Sequence, residues 1–180
     1  MAALKLPEQL KGRWEHALIL TYGFDAPFFE NALWSQFAAR CRNKIILVDG
    51  QRYLEACNNY AKSGLVRYLN SRYVAGGIFC RQAAHAKLLL LTNGDQGRLL
   101  VGSGNLNVQG YASGGELFTQ YEYGPEATEA LPAFLAVREL IEGLVERAYV
   151  QGTAVRYIKR LLDQTPWLFH ATDTAWRPVR

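Results

Sequence analysis

The chain has 180 residues, of which 49% are hydrophobic and 20% charged, with a formal net charge of +4. That length fits one domain, or one half of something larger, since a domain takes roughly 100 to 200 residues, and the composition is globular rather than disordered. The longest apolar stretch, around Leu88 to Leu91, falls far short of the ~18 residues that cross a bilayer, and the N-terminus lacks the apolar core and cleavage pattern of a secretory signal.

The segment HALILTYGF (His16 to Phe24) is apolar, rich in β-formers and closed by glycine, the pattern of a buried strand. DAPFFENALWSQFAARC predicts an amphipathic helix, with Asp25 as N-cap, Pro27 in the first turn and an apolar stripe of Phe28, Leu33, Trp34, Phe37 and Ala38. KIILVDG (Lys44 to Gly50) reads as a second buried strand, and QRYLEACNNYAKSG as a helix stopped by Gly64. Strand and helix in alternation imply an α/β fold with parallel pairing.

LVRYLNS (Leu65 to Ser71) fits a third strand, and YVAGGIFC a fourth strand or a loop hinged at Gly76 and Gly77. AKLLLLT and GRLLVG then flank NGDQ, and Asn-Gly between apolar runs is the strongest short-range hairpin signal. GELFTQYEYG alternates as one more strand. From Pro125 onward the spacing turns helical, interrupted at Pro132 and Gly152, and TPWLFHATDTAWRPVR at the end has no period. The expected architecture is α/β: a mixed, largely parallel sheet flanked by helices on both faces, with a helical C-terminal part. Residues 1–150 form the main domain, and 151–180 a C-terminal helix and tail that would link to a second half.

The chemistry concentrates in HAKLLLLTNGDQGRLLVGSGN (residues 85–105). His85 and Lys87, two apart on a predicted strand, point to one face, and GSGN (Gly102 to Asn105) ends the next strand of the hairpin beside them. An imidazole, an ammonium, a hydroxyl and an amide would share one patch. An imidazole can attack phosphorus to form a covalent phosphohistidine, and lysine and asparagine supply donors for the charge that develops on the phosphoryl oxygens. No metal or cofactor is needed. Taken singly, each element has an ordinary explanation. A histidine on an apolar strand is usually a core residue, GSGN is a turn composition, Glu116 suits a strand edge and Asp95 a turn. A serine hydrolase pairing Ser103 with His85 lacks any orienting motif. It is the coincidence of the matches that favours a site.

These residues resemble the phospholipase D superfamily, whose hallmark is HxK, four residues, Asp, six residues and GSxN. His85, Lys87, Gly102, Ser103 and Asn105 fill the fixed positions. The Asp slot holds Thr92, while Asp95 lies six residues before Gly102, as if the hairpin had gained three residues at its turn. The resemblance implies His85 as nucleophile, Lys87 and Asn105 as ligands of the phosphoryl oxygens, Ser103 as a hydrogen-bonding partner within the site, and Glu116 as the residue that orients His85 through Nδ1. The glycines of the motif, Gly102 and Gly104, would border the substrate. TYGFDAPFFENALW and KIILVDG are also similar to the opening of bacterial members built as nucleases. The family needs two such motifs face to face, because a second histidine protonates the leaving group. This chain carries one, so either two chains pair about a two-fold axis or a second half supplies the other.

The positive charge favours nucleic acid, DNA rather than RNA, as partner. Arg72 and Arg81, in the stretch before His85, are the preferred phosphate contacts; Arg40, Arg42, Lys44 and Arg67 read mostly as a solvated face. Tyr22, Phe24, Phe28 and Phe29 read as core rather than as a base-stacking platform. Cys41, Cys57 and Cys80 suit reduced thiols and a cytoplasmic setting. The expected activity is a metal-independent phosphodiesterase, a nuclease cleaving DNA in a bacterial defence or restriction context. Two alternatives stay open: a non-catalytic phosphate-binding module with a degenerate motif, and a lipid-headgroup phosphodiesterase.

Overall fold

The computed structural model describes residues 6–112 and 115–169. Six strands form one sheet in the order β3-β2-β1-β4-β5-β6: β1 His16–Thr21, β2 Asn43–Asp49, β3 Val74–Ile78, β4 Leu88–Thr92, β5 Gly97–Gly102 and β6 Phe118–Tyr123. The sheet is mixed. Parallel pairing is confined to β1 with β2 and β2 with β3, and the other three pairs are antiparallel. Parallel content is therefore lower than the early strand–helix alternation suggests, because after β3 the chain crosses past β2 and β1 through the loop of residues 79–87 and enters β4 antiparallel to β1, with no crossover helix between.

All positions of β1, β2 and β4 are buried, so both faces of the sheet carry a core. On one face Leu18, Leu20, Ile45, Leu47, Leu88 and Leu90 meet the helices α5 Leu131–Glu146 and α6 Thr153–Asp163. On the other, Ala17, Ile19, Ile46, Val48, Leu89 and Leu91 meet Leu6 of the short helix α1 Leu6–Gln9, the Phe29–Leu33–Phe37 stripe, and Tyr111 of α4 Val108–Tyr111. Each fully buried Leu, Ile or Val contributes about 1.5–3 kcal/mol, so the odd and even positions of the same strands hold two helical layers. Among the described residues no helix is long and apolar enough to cross a membrane.

Local signals explain most boundaries. The Asp25 carboxylate caps α2 Ala26–Phe28 by accepting from Phe28 N at 2.9 Å, and Gly64 closes α3 Gly50–Ser63 in the left-handed conformation, φ 61°. The helical run after Asp25 is shorter than its stripe predicts. It passes through a π turn at Phe29–Leu33 into a 3-10 turn and ends at Gln36. The buried Glu30 in the wide turn accepts from Arg67 N at 2.7 Å, Tyr68 N at 2.9 Å and Tyr73 Oη at 3.0 Å. Those same bonds explain why Leu65 to Ser71 is a loop and not a strand: two of its backbone donors go to a carboxylate instead of a ladder. Pro132 stands at the start of α5 rather than interrupting it. Burial pushes the Cys41 thiol up to about 11, which keeps it an inert thiol.

The predicted hairpin forms, with Asn93 Oδ1 accepting from Asp95 N at 3.1 Å and Gln96 N at 2.8 Å. Thr92, in the Asp slot, is fully buried at the turn end of β4 and shares a 3.1 Å hydrogen bond with Thr165. Beside it Trp167 donates to Asn93 O at 3.0 Å, stacks on Tyr123 at 4.2 Å and lies over Gly97. The slot thus belongs to the seam where the C-terminal segment docks on the hairpin. A Cβ at Gly97 would come within 2.5 Å of Trp167 and 2.7 Å of Phe134, whereas one at Gly94 meets nothing within 4 Å. Gly97→Ala should therefore cost about 1–3 kcal/mol in chemical denaturation while Gly94→Ala is near neutral; equal effects would contradict the docked seam.

Candidate active site

The C-terminal ends of β1, β2 and β5 and the segment entering β4 converge at one end of the sheet. His85 and Lys87 do not lie in β4, as their spacing suggests, but in the extended stretch just before it. They are gathered by Tyr22, the residue after β1. Its ring stacks on the His85 imidazole, centroids 4.2 Å apart at 24°, and the Lys87 ammonium lies 5.9 Å from its centroid. Lys87 Nζ also donates to the His85 carbonyl oxygen at 3.0 Å. Tyr22 is in turn held by Arg52 of α3, whose Nε donates to the phenol oxygen at 3.1 Å and whose guanidinium lies 5.2 Å over the ring.

Asp49 supplies the second anchor. Buried at the end of β2, it caps α3 by accepting from Arg52 N at 3.2 Å and accepts from Ala84 N at 2.9 Å through its other oxygen. One carboxylate thereby fixes both the helix that carries Arg52 and the backbone next to His85. Neither role was legible in KIILVDG, which reads as a buried strand, or in TYGF, where Tyr22 reads as a core aromatic. An acidic residue directly before a helix start was the available signal for Asp49. The other aromatics behave as read, with Phe29 fully buried and Phe24 and Phe28 partly buried against the core.

The GSGN loop joins the same end through backbone bonds. Gly102 N donates to Lys87 O at 3.0 Å, and Asn105 Oδ1 accepts from Gly23 N at 3.2 Å. Leu106 N donates to Thr21 Oγ1 at 3.0 Å, and the Thr21 hydroxyl donates to Gly23 O at 2.7 Å. The Asn105 amide nitrogen has no protein acceptor among the described residues and remains a donor for a ligand. Gly102 and Gly104 are glycines for packing: a Cβ at Gly102 would collide with the Leu117 carbonyl, and one at Gly104 would lie 2.7 Å from both Gly110 O and the Phe118 ring. Their place beside the substrate was an expectation; what the structure gives is close backbone approach.

Two expectations need correction. Glu116, expected to orient His85, accepts a short hydrogen bond from Ser103 Oγ, which itself accepts from Leu117 N at 3.1 Å. The carboxylate is thus spent on the serine of the motif, because β6 brings residue 116 alongside β5 rather than alongside the segment before β4. Arg72 lies at the far end of the sheet, since the parallel register sets Val74 beside Ile45 and Ile78 beside Asp49. Arg81, by contrast, follows β3 at the His85 end and is exposed. Among the described residues no three His, Cys, Asp or Glu side chains gather as metal ligands would. His85, Ser103 and Glu116 are exposed, so the patch is an open surface and not an enclosed pocket. It presents an imidazole, an ammonium and an amide donor within one surface, which suits an anionic phosphoryl group.

No protein-family model matches the chain, and no curated protein matches it. Among solved structures, a mutant form of the yeast tyrosyl-DNA phosphodiesterase is similar at a TM-score of 0.39 and 13% identity, over 62% of this chain and 27% of that one. The yeast tyrosyl-DNA phosphodiesterase without a mutation is similar at a TM-score of 0.37 and 12% identity, over 58% of this chain and 25% of that one. The chain spans about a quarter of the length of these structures. A functional reading therefore rests on the residues of the His85 patch themselves.

Asp49→Ala should lower stability by about 2–3 kcal/mol, because it strands a helix start and a loop amide at once. Asp49→Asn keeps an oxygen for Arg52 N but turns an NH2 toward Ala84 N, so hydrogen exchange at the Ala84 amide should speed up while the helix cap stays protected. Unchanged exchange at Ala84 in both variants would remove Asp49 as the anchor of the His85 segment.

Proposed function

We propose that the chain is a metal-independent phosphodiesterase of the phospholipase D type that cleaves DNA, with His85 as nucleophile. The observation that carries this reading is the meeting of His85, Lys87 and the GSGN loop at one end of the sheet, with the imidazole held by a stacked tyrosine. Nε2 or Nδ1 of His85 attacks phosphorus, the P–O bond to the leaving oxygen breaks, and an N–P bond forms; water then breaks the N–P bond and frees the ring. Lys87 keeps two further N–H donors beyond its bond to the His85 carbonyl, and Asn105 keeps its NH2, for the phosphoryl oxygens.

The leaving oxygen needs a proton, and a second histidine must give it. An open patch with an exposed imidazole suits a site completed by a second copy's His85 across a two-fold axis, or by a second motif-bearing half. The net charge of +4 and Arg81 beside the patch favour DNA over a lipid headgroup. Tyr22 acts as a positioning residue: its stacked ring limits the His85 imidazole to one plane.

A second reading, a phosphate-binding module without chemistry, is favoured by two contacts. Glu116 is engaged with Ser103 and not with His85, and the Asn105 carbonyl oxygen is committed to Gly23 N. Cleavage of supercoiled and single-stranded DNA in excess EDTA separates the two. The enzyme reading expects EDTA-resistant cutting by a dimer, lost about a thousandfold or more in His85→Ala. Tyr22→Ala should cost about a hundredfold in kcat through misplacement of the ring, with Tyr22→Phe retaining most activity. Binding without cutting, or cutting that survives His85→Ala, would overturn it.

A further inference from the structure

At the opposite end of β1 from the His85 patch, about 17 Å of strand away, His16 is 2% exposed and Asn43 beside it equally so. The Asn43 side-chain nitrogen lies 3.0 Å from the Tyr157 carbonyl oxygen and 2.9 Å from His16 Nδ1. A carbonyl oxygen only accepts, so the atom facing it is the NH2, which only donates. His16 Nδ1 is therefore the acceptor, and the neutral ring carries its proton on Nε2. Burial holds the His16 pKa below its ordinary value, against the nearby Glu15, which raises it, and with Arg160, which lowers it further. The ring is a neutral Nε2–H donor.

That donor has no acceptor among the described residues, and Asn43 Oδ1 has no donor. Buried polar groups left so are uncommon and expensive. Both side chains line a cavity of about 430 Å³ whose other walls are Arg40, Arg42, Arg160, Gln164 and Glu15. Three arginines and one glutamate border it, all at exposed positions, and the Arg160 guanidinium lies 5.4 Å over the Tyr157 ring. The ion pairs formed among the described residues lie at Arg52, Arg98 and Arg138, and none holds the three arginines of the cavity.

We propose that this cavity binds a phosphate group, a site separate from the His85 patch and independent of the function assigned to that patch. The planar forks of arginine match phosphate oxygens two at a time, and His16 Nε2–H, buried just behind the wall, is the one further donor there. Glu15 and Asn43 Oδ1 are the acceptors on the wall. They suit the hydroxyl that free phosphate keeps near neutral pH better than a diester, which has none, or a monoester, whose second pKa of about 6 leaves it mostly without one. A water molecule would meet the needs of His16 and Asn43 but would not draw on the three arginines gathered at the cavity. The sequence placed Arg40 and Arg42 on a solvated face and gave His16 no role, because Arg160 joins them only when α6 packs across the start of β2.

The site is tested on the whole chain by following the imidazole nitrogens in a long-range proton–nitrogen spectrum, assigned with His85→Ala. Inorganic phosphate is titrated against sodium chloride of matched ionic strength, and an unphosphorylated oligothymidylate is run in parallel. His16 should show the Nε2–H tautomer at neutral pH and a saturable shift with phosphate that chloride does not produce. Arg42→Gln and Arg160→Gln, both at exposed positions, should weaken it about tenfold or more. A shift with inorganic phosphate assigns a free or terminal phosphate; a shift with oligothymidylate alone assigns the nucleic-acid backbone, and both uphold a phosphate site. A His16 resonance that stays fixed with both probes overturns the proposal, whether or not His85 moves, and assigns the cavity to water.

Discussion

The register between β1 and β4 is the constraint on which the candidate site depends. Leu20 pairs with Leu88 at the end of that antiparallel ladder, so Tyr22 leaves β1 beside the segment that carries His85 and Lys87 into β4. A slip of one residue would move the tyrosine off the imidazole. Both faces of β1 and β4 are buried and Leu88 to Leu91 fit either core, so the register is fixed by the specific contacts at the turn end, Thr92 on Thr165 and the Asn93 turn. That turn end thus sets where the His85 segment meets Tyr22.

Two smaller devices refine the aim. Asp49 ties the backbone before His85 to the start of α3, so the helix that holds Arg52 against Tyr22 and the segment that carries the histidine share one anchor. The GSGN loop is drawn onto the same end by chain approaches that only glycine allows, at Gly102 against Leu117, at Gly104 against Gly110 and at Gly110 against Asn105. The loop composition that looks like an ordinary turn is therefore set by packing, and the chemistry of Ser103 and Asn105 is mounted on it. Rigid elements on three sides support an exposed imidazole.

Much of the fold could be read from residues whose signals are local. Asp25, Gly64 and the Asn-Gly turn mark boundaries through capping and turn chemistry that need no distant partner. The misreadings came where a distant partner decides. Leu65 to Ser71 has strand composition, but Glu30 takes its amides. Thr92 looked like a failed catalytic position, yet it bonds Thr165, more than seventy residues away. At the site, HxK and GSxN were legible as motifs, whereas Tyr22, Arg52 and Asp49 were not, since their roles exist only through the sheet order. Glu116 bonds Ser103 and Arg72 lies at the far end of the sheet because register, not proximity in sequence, places them.

The central claim, that the His85 imidazole attacks phosphorus, is tested most directly by trapping the covalent intermediate. A labelled oligonucleotide is mixed with the protein, quenched in alkali within a turnover and digested for mass spectrometry. The account predicts a phosphoryl adduct on the peptide containing His85, stable in base, lost in mild acid and missing from His85→Ala. An acid-stable adduct on Ser103, or cleavage proceeding with no adduct on either residue, would contradict it.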